Sequence, residues 1–65
     1  MQWTDIQEIV DALCDEYPNE DPEQVRFTDL RKKVCSLSDF SDDPNRCNER
    51  ILEAIQMTWI DEISD

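Results

Sequence analysis

Glycine and histidine are both absent from this 65-residue chain, and each absence removes a class of chemistry. Without glycine no backbone can wrap closely around a phosphate, which excludes loops of the P-loop and dinucleotide-binding types. Without histidine the commonest general base is missing, together with the triads built on it. Cysteine is scarce and odd in number: Cys14, Cys35 and Cys47, with no C-x-x-C pair. Three thiols complete neither a disulfide framework nor a four-thiolate zinc site within one chain, and reduced thiols in the cytoplasm are the expectation. No apolar run is long enough for a bilayer span, and the acidic N-terminal stretch does not have the form of a signal peptide. Six basic residues stand against seventeen acids, for a net charge of −11. Nucleic-acid backbones and anionic membranes would repel such a chain, so neither is an expected partner.

What remains is one small domain over residues 1–65. A chain of this length buries only roughly 60% of its unfolded surface, which favours a module that works through its exterior over an enzyme with an enclosed cleft. The apolar residues are spaced as helices. Ile6, Ile9, Val10, Leu13 and Tyr17 form one stripe in about thirteen residues after Thr4, with Thr4 and Gln7 as a capping box and Pro18 as the stop. "NEDPEQ" reads as a turn, with Asp21 able to cap and Pro22 suited to a first helical position. "VRF" alternates apolar, charged and apolar, enough for a short extended segment. A second helix is expected from Thr28 to about Leu37, burying Leu30, Val34 and Leu37 while Arg31, Lys32 and Lys33 face water. Phe40 is expected to turn inward from the "SDFSDD" loop. Asp43-Pro44 should open the last helix as cap and first position. Its inner face would be Cys47, Ile51, Ala54, Ile55, Thr58 and Trp59, with Leu52 and Ile63 at the border. Met57 and Ile60 fall on the other side, predicting an apolar spot at the surface.

Charge is laid out in blocks. Residues 1–24 carry eight acids and no base, residues 25–50 carry all six bases, and residues 51–65 carry four acids and no base. On the first helix Glu8, Asp11 and Asp15 form a ridge opposite the apolar stripe, flanked by Asp5 and Glu16, so these acids are exposed. Like charges at helical spacing repel, and the ridge admits three readings. It is a solvated face, a shallow site for a hard cation, or a surface for a basic partner. Carboxylates three and four apart have Cβ atoms about 5–6 Å apart, a gap their side chains can close around Fe²⁺, Fe³⁺, Mn²⁺ or Ca²⁺. Such a site would keep several waters and bind weakly. Asp61 and Glu62, near the end of the last helix, oppose its dipole, and folding gives no reason for them. No pairing of a nucleophile with a base is evident, so an independent catalytic role is not expected.

The order of short motifs goes further. "WTD" at Trp3–Asp5 is followed by "EI" at Glu8–Ile9, "YP" at Tyr17–Pro18 and "DP" at Asp21–Pro22. "VRFTDL" runs from Val25 to Leu30 and "DDP" from Asp42 to Pro44. "NE" at Asn48–Glu49 and "LEAI" from Leu52 to Ile55 come next, with Trp59 and Glu62 after them. In combination and in register over nearly the whole chain, these motifs resemble the IscX family of bacterial iron–sulfur cluster assembly proteins. The resemblance implies a mainly α fold, a modified winged-helix-like domain of three helices with a rudimentary small sheet. It implies a monomeric cytoplasmic adaptor that regulates cluster assembly by binding the cysteine desulfurase of the Isc system, at a site shared with bacterial frataxin. Weak binding of Fe²⁺ or Fe³⁺ by surface carboxylates is implied as well, with no bound cluster; an iron carrier or iron sensor is the alternative. Carried onto this chain, the iron-binding positions are Asp5, Glu8, Asp11 and Asp15. The partner-binding positions are Glu8, Asp11 and Asp15, with Arg26 in the "VRF" segment and Asp29 and Lys33 on the second helix. Relatives often have Trp where this chain has Lys33, so contacts made there would differ.

Overall fold

The computed structural model describes residues 1–64: helix α1 (Ile6–Glu16), helix α2 (Phe27–Cys35), a single 3-10 turn (Pro44–Arg46) and helix α3 (Glu49–Ser64). The chain is mainly α, as expected, and no strand occurs among the described residues. The "VRF" segment shows why the rudimentary sheet does not form. Arg26 is extended (φ −80°, ψ 155°), but the chain turns into α2 at the next residue. The carbonyls of Pro22 and Val25 accept from the side-chain amide of Gln56 at 2.8 and 3.2 Å, so an amide on α3 does the work of a neighbouring strand.

Helix α1 forms because Ile9, Val10 and Leu13 are buried on one side while its acids stay in water. It starts one residue later than the Thr4 capping box predicts. A tight turn through Trp3 and Thr4, closed from Asp5 N–H to the Gln2 carbonyl at 2.9 Å, makes Asp5 the residue before the helix. The Asp5 carboxylate accepts from the Gln2 N–H at 2.9 Å instead of capping a helical amide. At the other end Tyr17 closes the helix onto the Leu13 carbonyl at 2.8 Å, and Pro18 follows. Asp21 holds a turn rather than a helix, its carboxylate accepting from Glu23 N–H at 3.1 Å.

Helix α2 begins at Phe27, one residue before Thr28, and ends at Cys35, with Leu30, Val34 and the following Leu37 buried as predicted. The last helix departs most from the sequence pattern. Asp43 and Pro44 open only the 3-10 turn, where the Asp43 carboxylate accepts from Asn45 N–H at 2.9 Å. Cys47 is extended (φ −83°, ψ 156°) and interrupts the path. Asn48 then starts α3, its side chain accepting from Ile51 N–H at 2.9 Å. The inner face of α3 is Leu52, Ile55, Gln56 and Trp59, at the spacing of one helical stripe. Leu52, expected at the border, is buried and Ala54, expected on the inner face, is exposed, because burial of Leu52, Ile55 and Trp59 sets the rotation of the helix and Gln56 ties it to the Pro22–Val25 turn.

The core gathers residues from all three helices, the N-terminal segment and the loops beside α2, with Trp3, Leu13, Leu30, Val34, Ile55 and Trp59 at its centre. Trp3 anchors the N-terminal segment to the 39–43 loop. Its indole N–H donates to the Asp43 carbonyl at 2.8 Å, and its backbone N–H donates to the Asp42 carboxylate at 3.2 Å. Phe40 turns inward as predicted and meets the Trp3 ring edge-on, with centroids 4.8 Å apart and planes at 71°.

Candidate functional site

Glu8, Asp11 and Asp15 project from the outer side of α1 and are exposed, as is Asp5 before its first turn. The ridge inferred from helical spacing therefore exists on the surface. It does not stop at α1. The Gln7 side-chain amide donates to Asp11 at 3.1 Å and to Glu62 on α3 at 2.8 Å, joining the acids of the first helix to those at the end of the last. Asp61 and Glu62 line an open polar recess with Gln7, Thr58 and Ser64. The unfavourable placement of acids at a helix C-terminus was the signal in the sequence for this extension; the pairing of α1 with α3 was not legible there.

The field of this surface registers on a neighbouring thiol. Cys14 is pushed above the usual cysteine range, first by burial and then by the charges of Glu62, Asp11 and Asp15. The charges of those three carboxylates thus reach one thiol, although 48 positions separate Cys14 from Glu62. Cys35 is also raised, by burial and then by Cys47, with Arg31 acting in the opposite sense. A raised pKa keeps a thiol protonated and poorly nucleophilic, which gives neither residue the character of a catalytic cysteine.

The remaining sequence-derived positions lie elsewhere. Arg26 and Asp29 are exposed at the start of α2. Lys33 does not simply face water. Its ammonium lies 4.5 Å from the centre of the Tyr17 ring and 3.7 Å from the Glu20 carboxylate, and the side chain is half-buried. The Tyr17 hydroxyl lies 3.0 Å from that of Ser36, which itself donates to the Lys33 carbonyl at 2.7 Å. Lys33 therefore fastens α2 to the segment after α1. The Asp42–Asp43 pair caps and anchors. The amides of Asp43 and Trp3 hold the Asp42 carboxyl below the usual carboxylate range, with Arg46 adding to the effect at 3.6 Å.

Among the described residues no three of His, Cys, Asp or Glu converge as a ligand set. A cation on this surface would be held by one or two carboxylates and would retain most of its water. The described helices also include none long and apolar enough to cross a membrane.

Fold and site together define a small acidic helical protein whose distinctive chemistry is a continuous carboxylate surface rather than a cleft. Comparison with known proteins places it more closely. A family model described as iron–sulphur cluster assembly matches residues 1–64. An uncharacterized protein of Pseudomonas aeruginosa is 50% identical over 62 residues, covering 95% of this chain and 94% of that relative. The chain belongs to the IscX family of iron–sulphur cluster assembly proteins.

Proposed function

We propose that this protein is a non-enzymatic cytoplasmic adaptor that regulates iron–sulphur cluster assembly by docking its acidic surface onto the Isc cysteine desulfurase, at the site used by bacterial frataxin. The observation that carries this reading is the joining of Asp11 to Glu62 through Gln7, which extends the α1 ridge across a second helix. A surface of one sign steers association with a surface of the other and suppresses wrong partners. Glu8, Asp11 and Asp15 supply the docking charge, and Arg26, just before α2, and Asp29, in its first turn, are further candidate contacts. Fe²⁺ or Fe³⁺ bound weakly at Asp5, Glu8, Asp11 and Asp15 would neutralise part of that charge. Iron would then compete with docking or tune it.

The experiment is charge reversal. A Glu8→Lys, Asp11→Lys, Asp15→Lys variant should lose binding to the purified desulfurase while keeping its helical circular dichroism. Unaltered binding by the folded variant would contradict the adaptor reading. Iron binding by a wild-type protein that does not bind the desulfurase would favour an iron carrier or sensor instead.

A further inference from the structure

Helix α3 carries an apolar ridge on the side where a surface helix ordinarily carries polar groups. Met57 is 56% exposed and Ile63 53% exposed, with half-buried Ile60 between them. Positions three apart on a helix are neighbours, so the three side chains form one continuous strip. Met57 stands roughly 200° around the helix from Ile55, which is fully buried, and core packing gives no account of it. The rim of the strip is acidic. Glu53 and Asp61, four residues before and four after Met57, are both exposed; the single base in α3, Arg50, is exposed seven residues before Met57 on the same side, so acids outnumber it along this rim. Around the helix Asp61 lies between Met57 and Glu62, and Glu62 is the residue that Gln7 joins to Asp11. The apolar strip thus borders the acidic surface.

We propose that the Met57–Ile60–Ile63 strip is the apolar centre of a docking surface for a cationic amphipathic helix of a protein partner. The occupant would have leucine-like side chains along one face, with lysine or arginine beside them. This deepens the adaptor reading and rests on it for the partner's identity, but the surface itself is testable alone. Charge decides among occupants. A second copy of this chain would bring Glu53, Asp61 and Glu62 against their like, at −11 per chain. An anionic membrane would be repelled in the same way. A basic helix satisfies both the strip and its rim, and methionine suits such a site because its flexible thioether adapts to an irregular apolar face.

The test uses two synthetic helical peptides of equal charge, one with a leucine face flanked by lysines and one with every leucine replaced by glutamine. Each is titrated into the full chain while the methyl resonances of Met57, Ile60 and Ile63 are followed. The leucine peptide should move these signals and bind at least several-fold more tightly than its glutamine counterpart. A Met57→Gln, Ile63→Gln variant should bind both peptides alike; both residues are exposed, so the variant keeps its core. Equal binding of the two peptides by the wild-type chain, or unmoved methyl signals, would overturn the proposal. So would a dimer in sedimentation that the same variant dissolves. A wild-type chain that discriminates the peptides yet ignores the desulfurase would keep the strip and remove the adaptor reading.

Discussion

Gln7 and Glu62, 55 positions apart, meet at 2.8 Å across the α1–α3 seam, and the same amide nitrogen lies 3.1 Å from Asp11. One neutral donor thus stands between two carboxylates that would otherwise repel. Replacing it with a third acid, Gln7→Glu, removes the donor and adds a like charge. The expected cost is on the order of 1 kcal/mol at low salt. Because the charges are exposed, molar salt should restore most of the loss, as thermal melts at two ionic strengths would show. A melting temperature unchanged at low salt would mean the seam does not depend on this contact.

The same surface makes a prediction about Cys14. Burial and the charges of Glu62, Asp11 and Asp15 hold its thiol protonated above the usual range. Removing two of those charges with Asp11→Asn and Glu62→Gln lowers the thiol pKa and raises the thiolate fraction at pH 8. Alkylation of Cys14, followed by peptide mass spectrometry, should therefore be faster in the double variant. Cys35 serves as the internal control, since its own shift comes from burial and Cys47. An unchanged ratio of the two rates would count against a concentrated negative field at the seam.

The helices and the burial of Ile9, Leu30, Val34 and Trp59 were legible from spacing, because period and hydrophobicity agree there. The exposed positions of Glu8, Asp11 and Asp15 followed from the same geometry. Three features were not legible, each because a side chain distant in sequence decides it. Gln56 satisfies the Pro22 and Val25 carbonyls, so "VRF" does not become a strand. Lys33 lies over Tyr17, where its helical position alone had placed it in water. Glu62 joins the acidic surface through Gln7. The start of α3 was misplaced for a local reason: Asp43-Pro44 and Asn48 both carry the chemistry of a helix start, and Cys47 separates them.

Gln56 is the side chain whose loss should be felt most for its size. Gln56→Leu leaves the Pro22 and Val25 carbonyls without their donor in a partly buried place. A destabilisation of about 1–3 kcal/mol is expected by urea unfolding. Hydrogen exchange should show α1 retained while the Leu30 amide, in the helix that follows the turn, loses protection first. Stability within a few tenths of the wild type would mean that water replaces the amide fully.

Asp42 ties stability to pH. Its carboxyl is held below the usual range by the amides of Asp43 and Trp3, so the folded state favours the ionised form. The contribution is fully present above about pH 4, the ordinary range of an unfolded aspartate. It is lost as pH falls through the lower folded value. In a Trp59→Phe background Trp3 is the remaining tryptophan, and its fluorescence should follow that acid transition. Asp42→Asn should abolish the dependence and loosen Trp3 at neutral pH. An acid transition identical in both proteins would assign it to other carboxylates.

The most direct measurement of the central claim is calorimetric titration of the wild-type protein into purified cysteine desulfurase, at low and high salt, with and without ferrous iron. Docking through the Glu8–Asp11–Asp15 ridge predicts binding that weakens steeply with salt and shifts when iron is added. The absence of binding under all four conditions, with iron still taken up by the isolated protein, would contradict the account.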